Sequence, residues 1–138
     1  MSLQILSPVD QLDFQSQGFT AITHSSNTFT IDLDANTNNY SLTFNNATNT
    51  LAFSNLSASH IGKSGTIICT NPGTVNSLAF ATTFAAGSGK VVLIPGGGQI
   101  SFKTSANAIA LISYYVASAT QIVINYVSGY ASYNSFSP

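Results

Sequence analysis

The chain has 138 residues, of which 44% are hydrophobic and only 5% are charged, and its formal net charge is −1. This composition excludes intrinsic disorder, which goes with few apolar residues and a high net charge. It also excludes a nucleic-acid-binding surface, because three lysines cannot neutralise many phosphates. At this length we expect one domain, whose solubility depends on uncharged polar side chains.

Alternation of apolar and polar residues predicts β-strands along the first half of the chain. Residues 29–34 alternate strictly, and residues 40–44 alternate again after a turn cluster at 36–39. Residues 51–53 resume the pattern after a second polar break. Because the segments recur about every ten residues, they predict a three-stranded meander.

The second half continues with stronger apolar runs. Residues 66–70 predict a buried strand that ends at the turn 71–73, and residues 91–94 are apolar on both faces, which favours a central strand. Further strands are expected at 77–80, 99–103, 108–117 and 121–127.

Together these segments predict an all-β fold, an antiparallel β-sandwich or jelly-roll-like domain with at least seven strands. No fixed longer period relates the segments, so neither a solenoid nor a propeller is predicted. We expect the domain at residues 15–127, an N-terminal arm at 1–14 and a C-terminal arm at 128–138.

Residues 107–127 are the one stretch that resembles a transmembrane helix. Asn107, Ser113 and Asn125 interrupt it, and two strands joined at 117–120 explain the composition better than a span of about 20 apolar residues. We therefore predict no membrane contact. The N-terminus lacks the features of a secretory signal, so we expect synthesis in the cytoplasm without export.

Few side chains offer chemistry. His24, His60 and Cys69 show no spacing typical of a metal site. Cys69 lies in an apolar run, which favours a small buried hydrophobe over a reactive thiol. We predict no cofactor and no enzymatic activity.

Asp32 and Asp34 lie two positions apart on a predicted strand, which places their Cα atoms about 7 Å apart on one face. That separation would suit a glycosidase pair, or a weak calcium site completed by carbonyls of residues 36–39. A glycosidase acid needs a pocket that raises its pKa, and no surrounding residue suggests one. A solvated outer face is the favoured interpretation.

Five short motifs follow one another between Thr28 and Tyr126. They are Phe-Thr-Ile-Asp-Leu-Asp at 29–34, Leu-Ala-Phe-Ser-Asn at 51–55, Gly-Lys-Ser-Gly-Thr-Ile-Ile at 62–68, Ser-Leu-Ala-Phe at 77–80 and Thr-Ser-Ala-Asn-Ala-Ile-Ala-Leu-Ile-Ser-Tyr-Tyr-Val at 104–116, and the run Ile122 to Asn125 follows them. Their order resembles a domain of tailed-bacteriophage structural proteins, notably tail-fibre and appendage proteins. The resemblance implies a β-sandwich that builds virion surfaces, often as a trimer, and it brings no catalytic residues.

Because the chain is almost entirely this domain, the resemblance implies a capsid decoration (cement) protein on the exterior of a phage head. Such a protein would be located in the virion as a homo-oligomer, most often a homotrimer, in contact with other virion proteins and above all the major capsid protein. The alternative is a tail-fibre or appendage subunit that binds a host surface receptor. In that case Tyr130 and Tyr133 would stack on a glycan.

The two arms are the predicted subunit contacts. Low charge and apolar strand-forming runs favour self-association, since such runs aggregate unless they are covered. Each aromatic side chain of the C-terminal arm would bury about 150–250 Å² in a neighbour's groove. The alternative is that both arms fold back on their own domain. The candidate contact residues are Leu3, Ile5, Leu6, Tyr130, Tyr133 and Phe136.

Overall fold

A computed structural model describes residues 18–72, 77–80, 88–97, 100–101 and 107–130, and these residues form an all-β fold with two short 3-10 turns, Ala58–His60 and Pro95–Gly97. The described strands number ten, which confirms the predicted minimum of seven. They are β1 (Thr20–Ala21), β2 (Thr28–Asp32), β3 (Tyr40–Thr43), β4 (Thr48–Ser54), β5 (Ser64–Asn71), β6 (Ser77–Phe80), β7 (Val91–Leu93), β8 (Ile100–Ser101), β9 (Ala108–Ser118) and β10 (Gln121–Tyr130).

The strands form two sheets. The larger sheet has six strands in the order β1-β3-β5-β9-β10-β7, and the smaller sheet has four in the order β2-β4-β6-β8. From β1 to β9, successive strands alternate between the two sheets. In the first six strands, next-but-one strands are neighbours, and the series β1-β3-β5 and β2-β4-β6 run parallel. β7 instead pairs with β10.

Two topological predictions are wrong. Five of the eight described strand pairings are parallel, so the fold is mixed and not antiparallel. The meander predicted for 29–34, 40–44 and 51–53 does not form, because β3 lies in the larger sheet while β2 and β4 pair in the smaller one. A period of two reports which face of a strand is buried and carries no information about its neighbour.

Through the parallel strands the chain winds like a coil, and each turn returns beside a strand of the turn before. The number of residues in a turn differs from one turn to the next, which explains why no fixed period is visible in the sequence. Its paired positions are Thr20 with Tyr40, Thr28 with Thr50, Tyr40 with Ile67 and Thr48 with Ser77.

The inward side chains of both sheets form one hydrophobic cluster. Phe29, Ile31, Leu51 and Phe53 from the smaller sheet belong to it, as do Ile67, Ile112, Tyr114 and Ile122 from the larger sheet. The rings of Phe53 and Tyr114 lie with their centroids 5.6 Å apart and connect the two sheets directly. The alternation seen in the sequence thus identifies the buried face of each strand.

The hairpin β9–β10 confirms that residues 107–127 contain two strands. In the part of the chain that the structure describes, no helix is long and apolar enough to cross a membrane. Residues 128–130, assigned above to the C-terminal arm, are the last residues of β10.

The run 91–94 was predicted as a central strand, and this is wrong. β7 is an edge strand of the larger sheet as described, and Val91 and Leu93 are exposed on its outer side. The run 91–94 is therefore apolar on both faces because the outer surface of the sheet is apolar at β7, and not because both faces of the strand are buried.

Cys69 is a free cysteine and is fully buried, as expected from the apolar run in which it lies. Burial raises the pKa of its thiol to about 12. We expect no reaction with a thiol reagent at pH 8 while the protein is folded, since only the thiolate attacks, and full reaction in denaturant. Rapid stoichiometric labelling of the folded protein, followed by absorbance, would contradict this prediction.

Candidate interaction surface

The outward side of β5, β9, β10 and β7 carries large apolar side chains among polar ones, although a solvated sheet face is ordinarily polar. Six of the eight large hydrophobic residues that are exposed in the described structure stand on it. They are Val91, Leu93, Ile109, Tyr115, Val127 and Tyr130, with exposed fractions between 36% and 51%.

The strand register places these side chains in two groups. One group comprises Ile68, Ile109, Leu111, Val127 and Tyr130. The other comprises Val91, Leu93, Tyr115 and Val123. A polar row of Thr66, Ser113 and Asn125 separates them. We call the two apolar groups together the outer patch.

A bulge in β10 gives Tyr130 its place on the outer patch. Val127 pairs with Leu111 and Tyr130 pairs with Ile109, so β10 has one more residue than β9 in this interval. Gly129 adopts a φ of +88° there, which glycine tolerates without strain. Without the extra residue, the alternation of side chains along β10 would place Tyr130 on the inward face of the sheet. With it, Tyr130 faces outward, as Val127 does.

Of the six predicted contact residues, the structure places Tyr130 alone, with 49% of its surface exposed. Leu3, Ile5, Leu6, Tyr133 and Phe136 lie outside the described residues. The runs 91–94 and 122–124, which contain three residues of the outer patch, were a reason to expect self-association, but they were not predicted as contact residues. The remainder of the outer patch was missed by sequence reasoning. Its signal was present in β9, where Ile109, Leu111 and Tyr115 occupy the positions that polar residues take in a solvated strand.

The outer patch carries no charged residue. The acidic and basic residues within the described ranges are Asp32, Asp34, Lys63 and Lys90. The first three surround the loop between β2 and β3, and the Lys90 ammonium group donates a hydrogen bond to the carbonyl oxygen of Leu56 at 3.0 Å. A second protein surface can therefore approach the patch without desolvating a charge.

Polar side chains with possible chemistry meet at the loop between β2 and β3 instead. Asp34 Oδ1 lies 2.8 Å from His60 Nε2. Lys63 Nζ donates to the carbonyl oxygens of Leu33 and Ala35, both at 2.8 Å. These contacts hold the loop against the segment that leads into β5, so their evident effect is structural.

Neither alternative role for the aspartates finds support in this geometry. The side-chain amide of Asn55 and then the backbone N–H of Asp34 donate to Asp32 and lower its pKa, whereas a general acid needs a raised pKa. The described residues include no group of three or more His, Cys, Asp or Glu side chains that could hold a metal ion.

A groove of about 520 Å³ lies beside this loop, lined by Gly18, Thr20, residues 35–39 and Lys63. No aromatic ring lines it, so it lacks the flat platform that a sugar would stack on.

We expect Asn55→Ala to raise the pKa of Asp32 towards its ordinary value, because the largest cause of the lowering is removed. Since the folded-state pKa is depressed, the stabilising effect of the carboxylate is present above its unfolded-state pKa and is lost as the pH falls through its folded-state pKa. Carboxyl-carbon NMR titration measures the change. Asn45→Ala is the control, because the Asn45 side-chain amide donates to Asn27 Oδ1, before the start of β2 and away from Asp32. An unchanged Asp32 titration in Asn55→Ala would contradict the assignment.

Comparison of this chain with family models, with curated proteins and with solved structures finds no match. The resemblance to phage virion proteins therefore stays a prediction from the order of short motifs.

Proposed function

We propose that this chain is a non-enzymatic virion structural protein, a capsid decoration protein that self-associates on the exterior of a phage head. In this proposal the two sheets form a β-sandwich, the protein is a homotrimer, and its other partner is the major capsid protein. It is made in the host cytoplasm and assembled into the virion.

The observation that carries the proposal is the uncharged apolar outer face of the larger sheet. Extended apolar patches on soluble proteins mark interaction surfaces. The described polar side chains of Asp34, His60 and Lys63 hold the loop between β2 and β3 in place. This structural use of the polar groups supports a structural role for the protein.

The experiment is to locate and count this chain on purified phage particles, by immunogold labelling and quantitative mass spectrometry. The proposal expects labelling over the head and a copy number in a fixed ratio to the major capsid subunit. Labelling of the tail alone, with a copy number that matches the tail appendages, would replace it with the second candidate.

That second candidate is a tail-fibre or appendage subunit that binds a glycan receptor. It is favoured by the half-exposed rings of Tyr115 and Tyr130, since aromatic faces stack on sugars. A glycan array tests it directly. Binding that Tyr130→Ala abolishes, with the fold unchanged, would support this candidate.

A further inference from the structure

We infer that the outer patch is the self-association surface of this protein and that its occupant is a second copy of this chain. The inference rests on the proposed homo-oligomeric function and adds to it the surface and the residues involved. It replaces the terminal arms as the principal contact with the face of a rigid sheet.

The face is large enough to supply more than half of such an interface. Together with the polar row between its two groups, the patch extends over four strands, β5, β9, β10 and β7. Four strands at about 4.8 Å and about eight residues at about 3.3 Å give a flat area of at most roughly 500 Å², since β7 has three residues. A standard interface buries about 800 Å² on each partner.

The charge distribution favours a copy of the same chain over a charged partner. Charges across an interface steer partners and reject wrong ones, and this face has none to offer to a basic or an acidic surface. Two copies of the chain can meet through this face without like-charge repulsion, and each copy offers apolar side chains to the apolar side chains of the other.

The chain's own C-terminal segment is too small to cover the patch. Residues 131–138 continue from Tyr130, which lies on the patch itself. Fully extended, eight residues span about 26 Å, and at the width of one strand they cover roughly 125 Å², about a quarter of the face.

The N-terminal segment is a poor occupant for a different reason. It joins the described structure at Gly18, next to β1, at the edge of the larger sheet opposite to β7. Asp10 and Asp13 lie between Gly18 and the apolar residues Leu3, Ile5 and Leu6. The outer patch offers no cation to pair with these carboxylates.

Edge-to-edge strand pairing is disfavoured as well. β1 at one described edge of the larger sheet has two residues. β7 at the other has three, and Lys90 precedes it while Pro95 follows shortly after. Short strands, lysine and proline are the features by which proteins protect sheet edges from strand addition. Within the larger sheet, the face is therefore favoured over the two described edges as the surface for a second copy.

The test is the molar mass of the full chain in solution, measured by light scattering after gel filtration across the micromolar range. We expect wild type to be an oligomer and Val127→Lys to run at the monomer mass of 14.4 kDa. Because the substitution would bury an unpaired ammonium group in the interface, the dissociation constant of the oligomer should rise by about 100-fold or more. Leu93→Lys, in the other apolar group, should act in the same direction.

The matched control is Ile61→Lys, which places the same charge on a residue that is 56% exposed and outside the outer patch. It should keep the wild-type mass. Far-UV circular dichroism should be unchanged in all three variants, since each replaced side chain is already substantially exposed.

A monomeric wild type would overturn the inference, as would wild-type mass in both Val127→Lys and Leu93→Lys. It would also be overturned if Ile61→Lys dissociated the oligomer equally. A monomer whose patch binds a hydrophobic dye only after deletion of residues 131–138 would identify the chain's own arm as the occupant. These outcomes are independent of the location on phage particles: an oligomer formed through the patch but absent from particles would refute the proposed function alone.

Discussion

Gly65→Ala should lower the free energy of unfolding by about 3 kcal/mol, the upper part of the usual range for overpacking. A Cβ atom at Gly65 would overlap the carbonyl oxygen of Asn38 and lie 2.8 Å from the Tyr114 hydroxyl oxygen. Those two groups are joined by a hydrogen bond of 2.8 Å that Tyr114 donates. The loop before β3 rests on β5 at this point, so the added methyl group must displace backbone.

The measurement is urea unfolding followed by circular dichroism, and the control is Gly18→Ala. No heavy atom lies within 4 Å of a Cβ built on Gly18, so we expect a change of no more than about 0.5 kcal/mol. Equal stability of the two variants would show that the loop can move away from β5 at little cost.

Phe53→Ala should lower the free energy of unfolding by about 3–5 kcal/mol, because it leaves a cavity in addition to the lost burial. Phe53 is 1% exposed, and its ring packs against Tyr114 of the other sheet. The substitution therefore weakens the core where the two sheets meet. A drop in thermal midpoint measured by calorimetry should accompany the change.

Phe19→Ala is the matched control, since the same atoms are removed from a ring that is 47% exposed. We expect a change within about 0.5 kcal/mol. If Phe53→Ala were as mild as this control, Phe53 would not be part of a close-packed core.

Strand positions were predictable because burial of one face leaves a period of two in the sequence. In β2, Phe29 and Ile31 are buried and Thr30 is exposed, as the alternation predicts. Pairing was not predictable, since it depends on where each loop leads. The seven residues 33–39 carry the chain from the smaller sheet to the larger one, and Lys63, 30 positions after Leu33, holds that loop in place.

From the sequence, the runs 91–94 and 122–124 were predicted only as a cause of self-association, and the one residue of the candidate surface that was predicted as a contact is Tyr130. That residue drew attention because it stands in a polar segment, where an aromatic side chain is conspicuous. Ile109, Leu111 and Tyr115 were hidden in an apolar run, where sequence alone does not distinguish a residue buried in the core from one that faces outward. Register supplies the distinction, because it shows Tyr115 beside Val123 and Ile112 beside Tyr126 on opposite sides of the sheet.

The alternation of strands between the sheets also affects synthesis. Among the described strands, β9 and β10 are the one pair of sequence neighbours that hydrogen-bond to each other. β5 finds β3 already made on one side, but on its other side it has to wait for β9, whose Ile112 pairs with Ile67. Because domains fold as units during translation at about 5–20 residues per second, we expect the earlier strands to leave the ribosome without their partners for seconds. The yield of folded protein on expression should therefore depend on chaperones more strongly than the free energy of unfolding of the native protein would suggest.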